Sequence, residues 1–107
     1  MIGMILKKEG RAGGLESGDA MGTARPNPQG GVQVDLESVL KTQFGDSILE
    51  TARRAARIMD VQDVSLHIVD RGALDHVILS RVQTAIYRAA EADQFDWDRG
   101  GAGWDEP

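Results

Sequence analysis

The residues best placed for chemistry lie in Gly13-Gly14-Leu15-Glu16-Ser17-Gly18-Asp19. A hydroxyl at Ser17 stands among small residues, with carboxylates on either side at Glu16 and Asp19. Such a serine is open to a large modifying enzyme, and nothing bulky beside it blocks a bulky adduct. Glycine also permits the backbone angles of a tight turn at low steric cost. By composition alone the stretch is an ordinary solvated turn, since Ser, Gly and Asp are common turn residues. Two carboxylates do not make Ser17 a strong nucleophile, so modification by another enzyme fits better than catalysis by Ser17 itself. Glu16 and Asp19 then either keep the loop solvated or, with Gly18, form a mark for a transferase to read.

Other chemistries find less support. A serine hydrolase would need His67 or His76 as base and Asp70 or Asp75 to orient it. The Gly-x-Ser-x-Gly elbow is missing, because Gly14 lies three residues before Ser17 and no strand-to-helix turn follows. The histidines lie nine positions apart, without a His-x-x-x-His pair or an acidic cage, so no metal site is read. Cysteine is absent, which removes disulfides, thiolate ligands and thiol nucleophiles. Thioester chemistry would therefore need a thiol from an attached group. The formal net charge of −5 and the lack of a basic run argue against a nucleic-acid partner. Met1 to Leu6 is apolar but too short for a signal peptide or a membrane span. No membrane association is expected, and the chain reads as cytoplasmic.

Positioning the serine falls to one domain, the most that 107 residues accommodate. Residues 1–11 have no clear period and are expected as a loose lead-in or short edge strand. Ala12 to Arg25 reads as one extended segment, with poor strand propensity at Ala20, Gly22 and Ala24. Pro26-Asn27-Pro28-Gln29-Gly30-Gly31 is a turn. Val32, Val34 and Leu36 then alternate with polar residues as a second strand, expected to pair with the first as a hairpin. Val39, Leu40, Phe44, Ile48, Leu49, Ala52, Ala55, Ala56 and Met59 form the apolar stripe of a helix. Gly45 interrupts it, and two readings stay open: a continuous helix, or a fresh start capped by Asp46 or Ser47.

Val64, Leu66 and Ile68 make a third strand, with His67 and Val69 on its other face. Val77, Ile78, Val82, Ala85, Ile86 and Ala89 make the stripe of a second helix, opened by Leu74 or capped by Asp75. Residues 92–107 are acidic and glycine-rich without a face, and are expected as a flexible tail. The expected fold is α+β: a two-layer sandwich of order β-β-α-β-α, with a small sheet carrying two helices on one face.

Three blocks in this order carry a family resemblance: Leu15-Glu16-Ser17-Gly18-Asp19, then Gln43-Phe44-Gly45-Asp46, then Asp70-Arg71-Gly72-Ala73-Leu74-Asp75. Together they resemble the acyl carrier (gamma) subunit of citrate lyase, over residues 12–90. The resemblance implies a non-catalytic carrier domain at 12–91. Ser17 would bear 2'-(5''-phosphoribosyl)-3'-dephospho-CoA through a phosphodiester, placed there by a prosthetic-group transferase. An acetate ligase would load acetyl on its thiol. The alpha subunit, a transferase, would exchange acetyl for citryl, and the beta subunit, a lyase, would release oxaloacetate. Arg53, Arg54 and Arg57 would then be either a solvated helix face or a contact for coenzyme phosphates or an acidic partner. The small residues after Asp19 depart from the larger β-branched ones usual in that family, which implies a short or irregular first strand. The acyl carrier subunit of malonate decarboxylase is the nearest alternative, and a small interaction module without the arm is the other.

Overall fold

The structure is a computed structural model that describes residues 4–38 and 41–90. Its elements run β1 (Gly10–Gly13), β2 (Ala20–Pro26), β3 (Val32–Ser38), α1 (Lys41–Ile58), β4 (Val64–Asp70) and α2 (Asp75–Ala89). They build the expected α+β two-layer fold, with both helices on one face of a four-stranded sheet of order β1-β2-β4-β3. The expected tail at 92–107 lies outside the described residues, as do Val39 and Leu40 of the expected helical stripe.

β4 takes an inner position because it is the most apolar strand. Its Val64, Leu66 and Ile68 point into the core and are almost completely buried, while Ser65, His67 and Val69 face the open side of the sheet. Ile78, Val82, Ala85, Ile86 and Ala89 of α2 join them in one core, as the helical spacing requires, and Tyr87 is buried as well. α1 adds Ile48, Ala52, Ala55 and Ala56. It runs unbroken through Gly45, which is buried, so no fresh start occurs at Asp46 or Ser47. A helical glycine costs about 1 kcal/mol relative to alanine, little enough for a packed helix to absorb. Phe44, by contrast, leaves the stripe and is 51% exposed.

Two strand assignments differ from the sequence expectation. The segment from Ala12 to Arg25 is not one strand. It is the two arms of an antiparallel hairpin, Gly10↔Ala24 to Gly13↔Met21, with Ser17 in the connecting loop. The element order is therefore β-β-β-α-β-α. Gly13, at φ 100°, turns the chain where an L side chain is disfavoured. The second difference concerns β3, which does not form a hairpin with the preceding strand. It pairs in parallel with β4, from Val32↔Val64 to Ser38↔Asp70, and β4 is inserted between β2 and β3. The Pro26–Gly31 segment turns as expected, the Gly30 amide donating to the Asn27 carbonyl at 3.0 Å, but it leads to the far edge of the sheet. Asn27 holds it, its side-chain amide donating to the carbonyls of Gly30 and Gly31 at 3.0 Å each.

The small residues of β2 prove to be the seat of α2. β2 runs for seven residues as a full strand flanked on both sides, against the expectation of a short or irregular one. Ala12, Ala20, Gly22 and Ala24 are buried, and a Cβ at Gly22 would already touch the backbone of Arg81 at 3.5 Å. At Gly10 a Cβ would collide with the Ala85 carbonyl oxygen and the Ala89 amide nitrogen. The helix backbone lies directly on the strands. Below it, the amides of Lys7 and Lys8 both donate to the Ala89 carbonyl, at 2.9 and 3.1 Å, and so satisfy an acceptor at the end of α2.

Gly10→Ala and Gly22→Ala separate these two degrees of contact. Gly10→Ala is expected to cost about 3 kcal/mol by overpacking. Gly22→Ala meets only ordinary contacts and is expected to stay within about 1 kcal/mol of the parent. Urea unfolding of the two variants checks the difference, and equal losses would refute the close-packed seat.

Candidate functional site

Ser17 sits at the outer corner of the β1–β2 loop. The Asp19 amide donates to the Glu16 carbonyl at 3.0 Å, closing a four-residue turn with Ser17 and Gly18 at its centre. Gly18 has φ 85° and Ser17 does not share the positive-φ region, which is the pattern of a type II turn. A Cβ at Gly18 would have nothing within 4 Å, so the space beside the serine is open. Ser17 itself is exposed, and its hydroxyl bonds to no other described residue. A large group on that oxygen meets no steric obstacle.

The turn is nevertheless held firmly from beneath. The Gly18 amide donates to the Arg71 carbonyl at 2.7 Å, and the Arg71 amide donates to the Asp19 carbonyl at 2.9 Å. Two of the three sequence blocks therefore meet through their backbones. The second turn is itself organised by Asp70, which is 2% exposed. One Asp70 oxygen accepts from the amides of Gly72 and Ala73, at 3.2 and 2.9 Å, and the other accepts from the Ser38 hydroxyl at 2.8 Å. Its burial is tolerated because these acceptor positions are filled.

Asp19 is held by its side chain as well. Its Oδ1 accepts from the Ala20 amide at 2.7 Å and from Arg81 Nε at 3.0 Å, and its Oδ2 accepts from Arg81 Nη2 at 3.3 Å. The Arg81 guanidinium, then the Ala20 amide, keep this carboxyl below the usual carboxylate range. Arg81 passes under the hairpin because Gly13 has no side chain; a Cβ there would lie 2.8 Å from Arg81 Cδ. Of the two carboxylates beside Ser17, only Glu16 is exposed and without such a clamp. Sequence reasoning missed Arg81. Its signal was the pair Arg81 and Arg88 at the edge of the α2 stripe, seven residues apart. Arg88 likewise reaches the hairpin, donating to the Arg11 carbonyl at 2.7 Å.

The remaining candidates lie elsewhere. His67 is on the open face of the sheet, its Nδ1 3.1 Å from Asp35 Oδ2. His76 is exposed in the first turn of α2. Neither bonds to Ser17, and among the described residues no base is positioned on its hydroxyl. Asp75 does not cap α2: the cap position is Leu74, which provides no side-chain hydrogen bond. Arg71 makes no ion pair among the described residues, and its backbone does the work. Among the described residues no cluster of His, Cys, Asp or Glu could hold a metal ion, and no helix is long and apolar enough to cross a membrane.

Known proteins match most of this chain. The family described as acyl carrier protein, "Malonate decarboxylase delta subunit (MdcD)", matches residues 7–89. A citrate lyase acyl carrier protein of Fusobacterium nucleatum is 42% identical over 92 residues, covering 86% of this chain and 98% of that one. The citrate lyase acyl carrier proteins of Streptococcus mutans and Klebsiella pneumoniae are 39% and 36% identical, over 88% and 90% of this chain and 92% and 99% of theirs. The chain belongs to the citrate lyase acyl carrier protein family. The family match at 7–89 spans the hairpin, the 70–73 turn and α2, the parts that frame Ser17. A crystal structure from Thermus thermophilus shares the fold with a TM-score of 0.52 at 15% identity, over 82% of this chain and 16% of that larger one.

The Asp19–Arg81 clamp has a defined pH dependence. The folded chain favours the ionised carboxyl, so the unfolded chain takes up the proton first as pH falls. The clamp's contribution is full above about pH 4 and is lost as pH drops through the lowered folded value. Asp19→Asn is therefore expected to be less stable than the parent at pH 7, with the two converging well below pH 4. Denaturant unfolding across that range checks it, and a gap independent of pH would refute the clamp.

Proposed function

We propose that the chain is the non-catalytic acyl carrier subunit of a citrate lyase, with Ser17 as the attachment site for 2'-(5''-phosphoribosyl)-3'-dephospho-CoA. The observation that carries this reading is the display of Ser17: an exposed hydroxyl, bonded to none of the described residues, at the corner of a turn whose Gly18 and Asp19 are clamped from beneath. The open space beside Gly18 fits a bulky group. In the modification the Ser17 oxygen loses its proton and forms the ester bond to phosphorus, while the donor's leaving group departs. Among the described residues no base touches that hydroxyl, and the prosthetic-group transferase supplies one. Glu16, exposed and unclamped, is the side chain such an enzyme reads, with Gly18 holding the turn. Asp19 orients the loop from within.

Once attached, the group supplies a thiol for acetyl and citryl thioesters, the chemistry by which citrate is cleaved to oxaloacetate and acetate. The protein's part is to hold the attachment point still while leaving the group free to reach several active sites. Tethering keeps the reactive end at high effective concentration for both the alpha and the beta subunit, without release to solvent. An acetate ligase completes the set of partners. The carrier domain takes in β1 from Gly10, ahead of the expected start at 12, with the tail at 92–107 beyond it, and acts in the cytoplasm. A second reading, the acyl carrier subunit of malonate decarboxylase, is favoured by the description of the matching family.

Intact mass with peptide mapping, on protein from citrate-fermenting cells, tests the proposal. The added mass of the group is expected on the peptide containing Ser17. Ser17→Ala is expected to abolish both the added mass and lyase activity, while stability changes by no more than about 0.5 kcal/mol because the hydroxyl has no partner to lose. An unmodified chain in cells with demonstrable lyase activity would refute the reading and favour an interaction module. Modified protein that supports malonate decarboxylation instead of citrate cleavage would select the second reading.

A further inference from the structure

A groove of about 690 Å³ opens between α1, the 70–73 turn and the start of α2. That volume falls within the range of small-molecule sites, roughly 300–1,000 Å³. Its walls carry two large apolar side chains left in solvent, Phe44 at 51% and Leu74 at 67% exposed. Phe44 belongs to the one sequence block that the serine loop does not absorb. Arg54 and His76 stand on the same walls. Arg54 makes no ion pair among the described residues, whereas Arg57 is taken up by Glu50 at 2.9 Å. Two carboxylates also line the groove. Asp70 is occupied by the Ser38 hydroxyl and two turn amides, and Asp75 lies in the first turn of α2, where the helix dipole offsets its charge.

The groove also adjoins the attachment point. Gly72 lines it, and the preceding residue, Arg71, accepts the hydrogen bond from Gly18. An arm on Ser17 therefore starts from a turn bonded to the wall of a groove that carries an aromatic ring, an aliphatic side chain and a guanidinium without an ion pair among the described residues. Those are the groups that hold a base and its phosphates: base–aromatic stacking tolerates any base, and a guanidinium matches phosphate oxygens.

We propose that this groove docks the adenine–diphosphate part of the arm, with Phe44 and Leu74 against the base and Arg54 against the diphosphate. The inference rests on the reading that Ser17 bears a dephospho-CoA group. Docking gives the arm a parked position beside the turn and shortens the free length that sweeps through solvent. A tethered ligand has an effective concentration in the millimolar range, so weak binding suffices and release to a partner stays easy.

Heteronuclear NMR on the unmodified full chain tests it, with dephospho-CoA as the probe and adenosine, inorganic diphosphate and pantetheine titrated separately. Dephospho-CoA is expected to move the amides of Phe44, Arg54, Gly72, Leu74 and His76, with half-saturation in the millimolar range. Adenosine and diphosphate should each reproduce part of that pattern, and pantetheine none of it. Phe44→Ala and Arg54→Gln alter exposed side chains, so the rest of the spectrum should hold while each weakens binding by about tenfold. Protein whose arm is verified by mass should show the same amides displaced with no ligand added. Absence of groove shifts at about 10 mM probe, unchanged affinity in both variants, or displacement confined to residues 15–19 in the armed protein would each overturn the proposal. The titration uses unmodified chain, so its outcome is separate from whether Ser17 carries the group, which the mass measurement decides.

Discussion

The backbone of α2 rests on β1 and β2 with almost no side chain between them. Gly10 admits the Ala85 carbonyl and the Ala89 amide, and Ala12, Ala20, Gly22 and Ala24 leave the rest of the bed shallow. Close approach brings many weak dispersion contacts into range at once, and their sum fixes how far α2 stands from the hairpin. That distance decides whether Arg81 can reach Asp19. A larger residue in the bed would lift the helix, lengthen the ion pair and free the loop that displays Ser17. The apparent weakness of β2 as a strand is the condition for the site.

Display and rigidity normally conflict, since an exposed loop has few contacts to order it. Here two turns stand back to back and share their backbone groups. The 16–19 turn accepts order from Arg71 through two main-chain hydrogen bonds, and the 70–73 turn takes its own order from the buried carboxylate of Asp70. Neither arrangement places an atom over the Ser17 hydroxyl. Fixing Gly18 and Asp19 on one side, and Gly13 on the other, restricts the serine without covering it. An attached group can then swing about a point that does not itself wander.

The two carboxylates flanking Ser17 illustrate how far local reading goes. As a sequence, Glu16 and Asp19 are equivalent acidic neighbours. In the fold, Asp19 turns inward to Arg81 and becomes a strut, while Glu16 remains in solvent. The partner lies 62 residues away, and no spacing rule connects the two. The same holds for Phe44, which the helical period places in the core stripe. It is near the start of α1, beyond the end of the apolar cover, and so faces the groove instead.

Sequence alone determined the features that depend on neighbours within a few residues. Period-two alternation marks β4, the three- and four-residue steps mark α2, and the small residues around Ser17 mark a reachable turn. These follow from local backbone geometry and the side of each element that must leave water. Tertiary structure decided the rest. Alternation makes Val32–Ser38 a strand but says nothing of which strand lies beside it, and the strong apolar face of β4 claims the place between β2 and β3. Glycine and alanine lower strand propensity locally, yet they are what allows α2 to settle on the sheet. The physical reason is common to both: pairing and close packing are set by competition among elements for the same buried surface, and no window of sequence contains all the competitors.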